Sequence, residues 1–193
     1  MVTVPAPKSA RERLLAAAGE LFYEEGINTV GIDRIIERAG VAKASLYDIF
    51  GSKEELIRSY LVSRNEARRA RMTEKLARFR TPRERLLGVF DVMGDLASER
   101  GFRGCAFMRA NAEVRGSDGV KAVIDDSRAW TLELFTQLAK DAGIAPAKKL
   151  ARQLVILYDG ALVSAQIDRD ASAAAAARAI AAGLVDAVLK ENR

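Results

Sequence analysis

The chain has 193 residues, 49% of them hydrophobic and 30% charged, with a net charge of +5. It has no histidine and a single cysteine. That excludes histidine general bases, serine–histidine and cysteine–histidine catalysis, histidine-ligated metals, an internal disulfide and a multi-cysteine zinc site.

Long Ala/Leu/Arg/Glu-rich periodic runs are separated by short Gly and Pro signals, so the fold class is all-α, with about nine helices. The first helix is predicted to start at Ser9, where "SARE" is a capping box closed by Glu12. Leu14, Ala18, Leu21 and Phe22 form its apolar face, and Gly26 stops it. A second helix is predicted over Gly31–Arg38, with Ile32, Ile35 and Ile36 inward. Gly40 breaks the chain, and a short third helix follows from about Lys43. "SKEE" at Ser52 is a second capping box and opens a long fourth helix. "TPRE" at Thr81 is a third, with Pro82 at the first helical position, and that fifth helix is predicted to end near Gly101. A shorter helix is expected over Cys105–Val114. "GSDG" reads as a turn, followed by a helix from about Val120 to Ala142. Pro146 opens another, to about Asp168, and an alanine-rich helix runs from about Ala171 to Lys190.

No run of about 18 apolar residues is visible, so no membrane-spanning segment is expected. "MVTVPAPKSARER" lacks the apolar stretch of a signal peptide. A cytoplasmic location is the expectation.

The positive charge is uneven. Residues 1–53 carry seven Lys/Arg and seven Asp/Glu, residues 54–80 eight and four, and residues 81–193 sixteen and fifteen. The excess therefore lies in the fourth helix, where Arg64, Arg68, Arg71, Lys75 and Arg78 recur at helical spacing. They read either as a basic stripe or, preferably, as a face paired with Glu66, Glu74 or neighbouring helices.

The second helix, the break at Gly40 and the third helix have the spacing of a helix-turn-helix. Leu46, Ile49 and Phe50 fall on one side of the third helix. Ala44, Tyr47 and Asp48 fall on the other, flanked by Lys43 and Ser45. That outer face is small and polar enough to enter a DNA major groove. Lys53 lies in the first turn of the fourth helix, where its ammonium and free backbone N–H groups could hold a phosphate.

The stretch from "ARERLLAAAGELFYEEG" through "IDRIIERAGV" to "KASLYDIFGSKEELIRSYL" resembles the DNA-binding region of the TetR family of bacterial transcriptional regulators. The resemblance covers about the first quarter of the chain. It implies an all-helical homodimer with an N-terminal DNA-binding domain at 1–52 and an effector-binding and dimerisation domain at 53–193, the two connected by the fourth helix. It implies double-stranded operator DNA and a small-molecule effector as partners, and no cofactor. Carried over by position, Ala42, Lys43, Ala44, Ser45, Tyr47, Asp48 and Lys53 fall where the family contacts DNA. Gly31, where members often have Ser or Thr, offers only its backbone N–H to a phosphate. Asp48 also departs from the pattern. It either accepts from cytosine N4 or pairs with a base such as Arg34.

The later stretch "RGCAFMRANAEV" suggests Phe107, Met108 and Asn111 around an effector cavity with Trp130 and Tyr158, although ordinary core packing fits each of them too. Cys105 reads as a buried thiol, with oxidant sensing as the alternative. Leu150, Leu154, Leu157, Ala161 and Ala165 form one apolar stripe, and Ala177, Ile180, Leu184 and Val188 another. The resemblance assigns these two helices to a dimeric four-helix bundle, with Leu154, Ala161, Ala165, Ala177, Ile180, Leu184 and Val188 in the seam.

The leading reading is a non-enzymatic, ligand-responsive regulator, a repressor released from its operator by an apolar or amphipathic molecule. Two other readings fit parts of the sequence. One is a helical-bundle enzyme holding a metal through Glu113, Asp125 and Asp126. The other is a nonspecific DNA-binding protein, which the neutral N-terminal segment disfavours.

Overall fold

The computed structural model describes residues 9–191. The N-terminal stretch in which no signal peptide is expected lies largely outside them. Nine helices occur among the described residues: α1 Ala10–Glu25, α2 Ile32–Ala39, α3 Lys43–Phe50, α4 Lys53–Leu76, α5 Pro82–Ala97, α6 Ala106–Glu113, α7 Asp118–Asp141, α8 Ala147–Asp168 and α9 Ser172–Glu191. The all-α expectation holds.

Local signals explain most of the boundaries. Ser9 and Glu12 form a complete capping box, and so do Thr81 and Glu84 behind Pro82. At Ser52 only half of the expected box is seen. Ser52 Oγ accepts from the Glu55 N–H at 3.1 Å, while the Glu55 carboxylate turns to the Arg58 guanidinium. Gly40 ends α2 in the left-handed region, at φ 62°, and its N–H and that of Val41 both reach back to the carbonyl of Ile36. Two boundaries need correction. The stretch "GSDG" is not a free turn. Ser117 Oγ accepts from the Val120 N–H, so α7 starts at Asp118. The fifth helix stops at Ala97, four residues before Gly101, where Ser98 turns its hydroxyl back to the Gly94 carbonyl at 2.8 Å.

The chain packs as two compact units, one of residues 9–64 and 106–124, the other of residues 65–105 and 125–191. In the first, α1, α2 and α3 pack on one another around Leu14, Phe22, Ile35, Leu46 and Phe50. The core of the second lies between α5, α8 and α9, around Leu86, Phe90, Phe135, Leu154 and Tyr158. Phe90, Phe135 and Tyr158 meet as tilted and edge-on pairs, with ring centroids 5.8 to 6.4 Å apart.

The expectation of no span-length apolar segment needs correction for α9. Ser172–Lys190 is long and apolar enough to cross a membrane, with mean hydropathy 1.5. Its packing accounts for one side of that composition. Ala174, Ala177, Ala181 and Val185 are buried against α5 and α8. Arg178 and Asp186 bond to Asp91 and Arg83 on α5. This packing covers one side of α9, where small side chains allow close approach, and only 22% of the span is buried within the chain.

Candidate nucleic-acid interface

The outer face of the first unit is built by α2 and α3. Burying Leu46 and Phe50 leaves Lys43, Ala44, Tyr47 and Asp48 exposed, together with Ala42 just before the helix, while Ser45 is half-buried. Tyr47 keeps 45% of its surface, an unusual exposure for a large ring on so short a helix. Gly31 and Ala42 precede α2 and α3 with extended backbone and no side-chain cap. The first-turn N–H groups of both helices therefore have no capping side chain, which is the arrangement that accepts a phosphate.

The cations of this face are held by acids of the same unit. Arg34 grips Glu25 with two parallel bonds of 2.5 and 2.9 Å, Arg38 meets Glu20 at 2.9 Å, and Lys43 meets Asp33 at 2.9 Å. The bond to Glu25 raises the Arg34 pKa, and the bond to Asp33 raises that of Lys43. All six side chains are solvent-facing, so phosphates can compete for the cations. The arrangement makes the face close to neutral. It also shows that Arg34 has Glu25 as its partner, not Asp48. Asp33 and Glu25 were not singled out by sequence reasoning, because their pairing depends on how α1, α2 and α3 pack.

Lys53 departs from expectation. It is half-buried, and its ammonium donates to the Ile27 carbonyl at 2.8 Å instead of facing outward from α4.

The basic residues of α4 are engaged within their own units. In the first, the Arg64 guanidinium stacks 4.1 Å from the Tyr23 ring centroid. In the second, Arg71 pairs with Glu99 and Lys75 with Asp95, and Arg78 lies 3.7 Å from Asp95. Arg68 donates to Ser127 and Thr131 and lies over Trp130. The stripe is thus a paired face, joined to residues outside its own helix.

The suggested effector residues divide between the units. Phe107 is buried, Met108 half-buried and Asn111 exposed, all on α6 in the first. Trp130 and Tyr158 belong to the second, Trp130 half-buried under Arg68 and Tyr158 in the aromatic core. Cys105 is half-buried. The carboxylates of the alternative metal reading have other partners. Glu113 accepts backbone N–H groups of Ile27 and Asn28, and Asp126 is held by Arg69 and Asn65. No group of three or more potential ligands gathers among the described residues.

The expected seam on α8 and α9 is partly corrected. Leu154, Ala161, Ala165 and Ala177 are buried inside the chain itself. Leu184 and Val188 are half-buried, and Ile180 is 55% exposed. The outward apolar residues of α8 are others: Ile156 at 69%, Val163 at 41% and Ile167 at 72% exposure. With Gly160 they recur at i, i+4, i+7 and i+11, one face of a helix. That period was readable in the sequence but was masked by the longer leucine and alanine stripe beside it.

Residues 14–60 match the family model described as bacterial regulatory proteins, tetR family. The crystal structure of SCO4454, a TetR-family transcriptional regulator from Streptomyces coelicolor, superposes with a TM-score of 0.85 at 32% identity, over 93% of this chain and 95% of that one. The repressor NemR of Escherichia coli is 25% identical over 82% of this chain and 85% of its own. The activator FasR of Mycolicibacterium smegmatis is 29% identical over 69% of this chain, a match that spans 61% of FasR.

Proposed function

The chain belongs to the TetR family and is a DNA-binding transcriptional regulator, and on that footing we propose that it acts as a homodimeric repressor, released from its operator by a small molecule. The observation that carries this reading is the outer face of α3. Ala42, Lys43, Ala44, Ser45, Tyr47 and Asp48 form a narrow, polar, convex edge beside two helix N-termini without side-chain caps. Small alanines let the helix approach the groove, Tyr47 reaches a base edge or a phosphate, Asp48 accepts from a cytosine N4, and Gly31 presents its N–H to the backbone. Arg34 and Lys43 exchange Glu25 and Asp33 for phosphates on binding. Residues 1–52 serve DNA binding, and residues 53–193 serve the effector and the second copy.

One recognition helix reads only a few base pairs, so two copies are required to read an operator. The outward face of α8, with Ile156, Gly160, Val163 and Ile167, and that of α9, with Ile180, are the surfaces we assign to the partner copy. An apolar helical face of this length is otherwise costly to leave in water. The effector is a small apolar or amphipathic molecule. Trp130 and Tyr158 are one candidate set of contacts, within the second unit, and Phe107, Met108 and Asn111 are an alternative set, within the first. The protein works in the cytoplasm, where its DNA lies, as a regulator and not as an enzyme.

Thermal-shift screening tests the ligand half of this reading, because a molecule that binds only the folded chain raises its melting temperature. The expected hits carry large apolar surface, and they lower the affinity for a duplex that the protein retains. If only polyanions or metal ions stabilise it, the effector assignment is wrong.

A further inference from the structure

The turn between α1 and α2 is gripped by a helix more than eighty residues away in sequence. Glu113, the last residue of α6, accepts the N–H of Ile27 at 2.6 Å and that of Asn28 at 3.1 Å, both on Oε2. The Asn28 side-chain amide returns to the Glu113 carbonyl at 2.8 Å. Lys53 takes the carbonyl of Ile27. One turn of α6 earlier, Arg109 donates to the carbonyl of Tyr23 near the end of α1. All of these residues belong to the first compact unit.

The turn is shaped for this grip. Gly26 has φ 100°, where a side chain is strained, and a Cβ on it would stand 3.1 Å from the carboxylate. Two consecutive N–H groups pointing at one oxygen make a charge-assisted arrangement, stronger than a pair of neutral bonds. Ile27 and Val30 are buried on either side of Asn28, so the turn is anchored by packing as well. Four residues after Asn28, α2 begins. The direction in which α2 leaves the turn therefore depends on a carboxylate carried by α6.

We propose that Glu113 is a positioning residue for operator binding: by holding the α1–α2 turn it sets the placement of α2 and α3 that the DNA requires. The inference rests on the DNA-binding reading given above. It does not require α6 to touch DNA or effector.

The test compares wild type, Glu113→Gln, Glu113→Ala and Asn28→Ala by affinity for a duplex that the wild type retains. It adds amide hydrogen exchange at Ile27, Asn28, Leu46 and Phe50. Glu113→Ala is expected to weaken binding about tenfold, equal to about 1.4 kcal/mol, and Glu113→Gln and Asn28→Ala by less. Exchange should speed up at Ile27 and Asn28 while Leu46 and Phe50 stay protected. That pattern separates positioning from a general loss of fold. Full operator affinity in Glu113→Ala overturns the proposal. So does an affinity loss accompanied by equally faster exchange at Leu46 and Phe50, because Glu113 is then merely structural. If Glu113→Ala does not fold, Glu113→Gln and Asn28→Ala decide by the same two readouts. A wild type that retains no duplex at all overturns the DNA-binding reading instead, a distinct result.

Discussion

The ammonium of Lys53 and the carbonyl of Ile27 are hydrogen-bonded at 2.8 Å, a tie between the first residue of α4 and the turn after α1. Partial burial lowers the Lys53 pKa, opposed in part by Glu113, and the Phe22 ring centroid lies 5.9 Å away. In the chain by itself this ammonium braces the turn after α1. Replacing Lys53 with Met keeps the stem and removes the donor. The expected result is a stability loss of about 1 kcal/mol, the scale of one hydrogen bond, read by urea unfolding. The salt dependence of operator binding should keep its slope. A slope reduced by about 1 would mark a lost phosphate contact and would return Lys53 to the DNA face.

Tyr47 carries the only phenol exposed on α3, and it is free to reach a base or phosphate. Tyr47→Phe is expected to weaken operator binding by about 1 kcal/mol without changing the melting temperature. Fluorescence anisotropy at fixed salt checks this, and equal affinity for both proteins would remove Tyr47 from the contact set.

What could be read in the sequence was what is local. The boxes Ser9–Glu12 and Thr81–Glu84, the stop at Gly40 and the inward face of α3 follow from residues a few positions apart, and each appears as expected except that Ile49 on α3 is only half-buried. What could not be read was tertiary. Lys53 has the same neighbours in sequence whether it points out or in, and only the approach of Ile27 decides. Glu113 looked like a candidate metal ligand because its partners lie 85 and 86 residues away. On α8 the difficulty is different. That helix is apolar over much of its circumference, so a period of 3.6 can be drawn through two stripes, and the leucine and alanine stripe is the buried one.

That distinction gives a pair of substitutions with opposite outcomes. Ile180 is 55% exposed within the chain and Leu154 is fully buried. Ile180→Glu should leave the fold intact and separate the copies, since a dimer would bury unpaired carboxylates. Leu154→Ala should cost about 2–5 kcal/mol of fold stability through its cavity. Sedimentation together with thermal unfolding checks both, and an Ile180→Glu protein that remains a dimer would move the interface elsewhere.

Alkaline pH gives a further expectation. Burial raises the phenol pKa of Tyr60 and Tyr158 above the ordinary 10.0, against the lowering influence of Arg64 and Arg68 respectively. Below pH 10 both phenols are protonated in folded and unfolded chains, so neither affects the balance. Between 10 and the raised values the unfolded chain loses protons that the folded chain keeps, so stability falls as pH rises. Tyrosinate absorbance should show these two phenols ionising together with unfolding. Tyr158→Phe should remove part of the pH slope, and an unchanged slope would contradict the assignment.

Selection of bound duplexes from a random pool, followed by sequencing, addresses the central claim most directly. A dimer presenting two copies of α3 is expected to enrich an inverted repeat of two short half-sites at one fixed spacing, and the Ile180→Glu protein should fail to enrich it. A pool that emerges without sequence preference, or with a single unpaired half-site, would contradict the account.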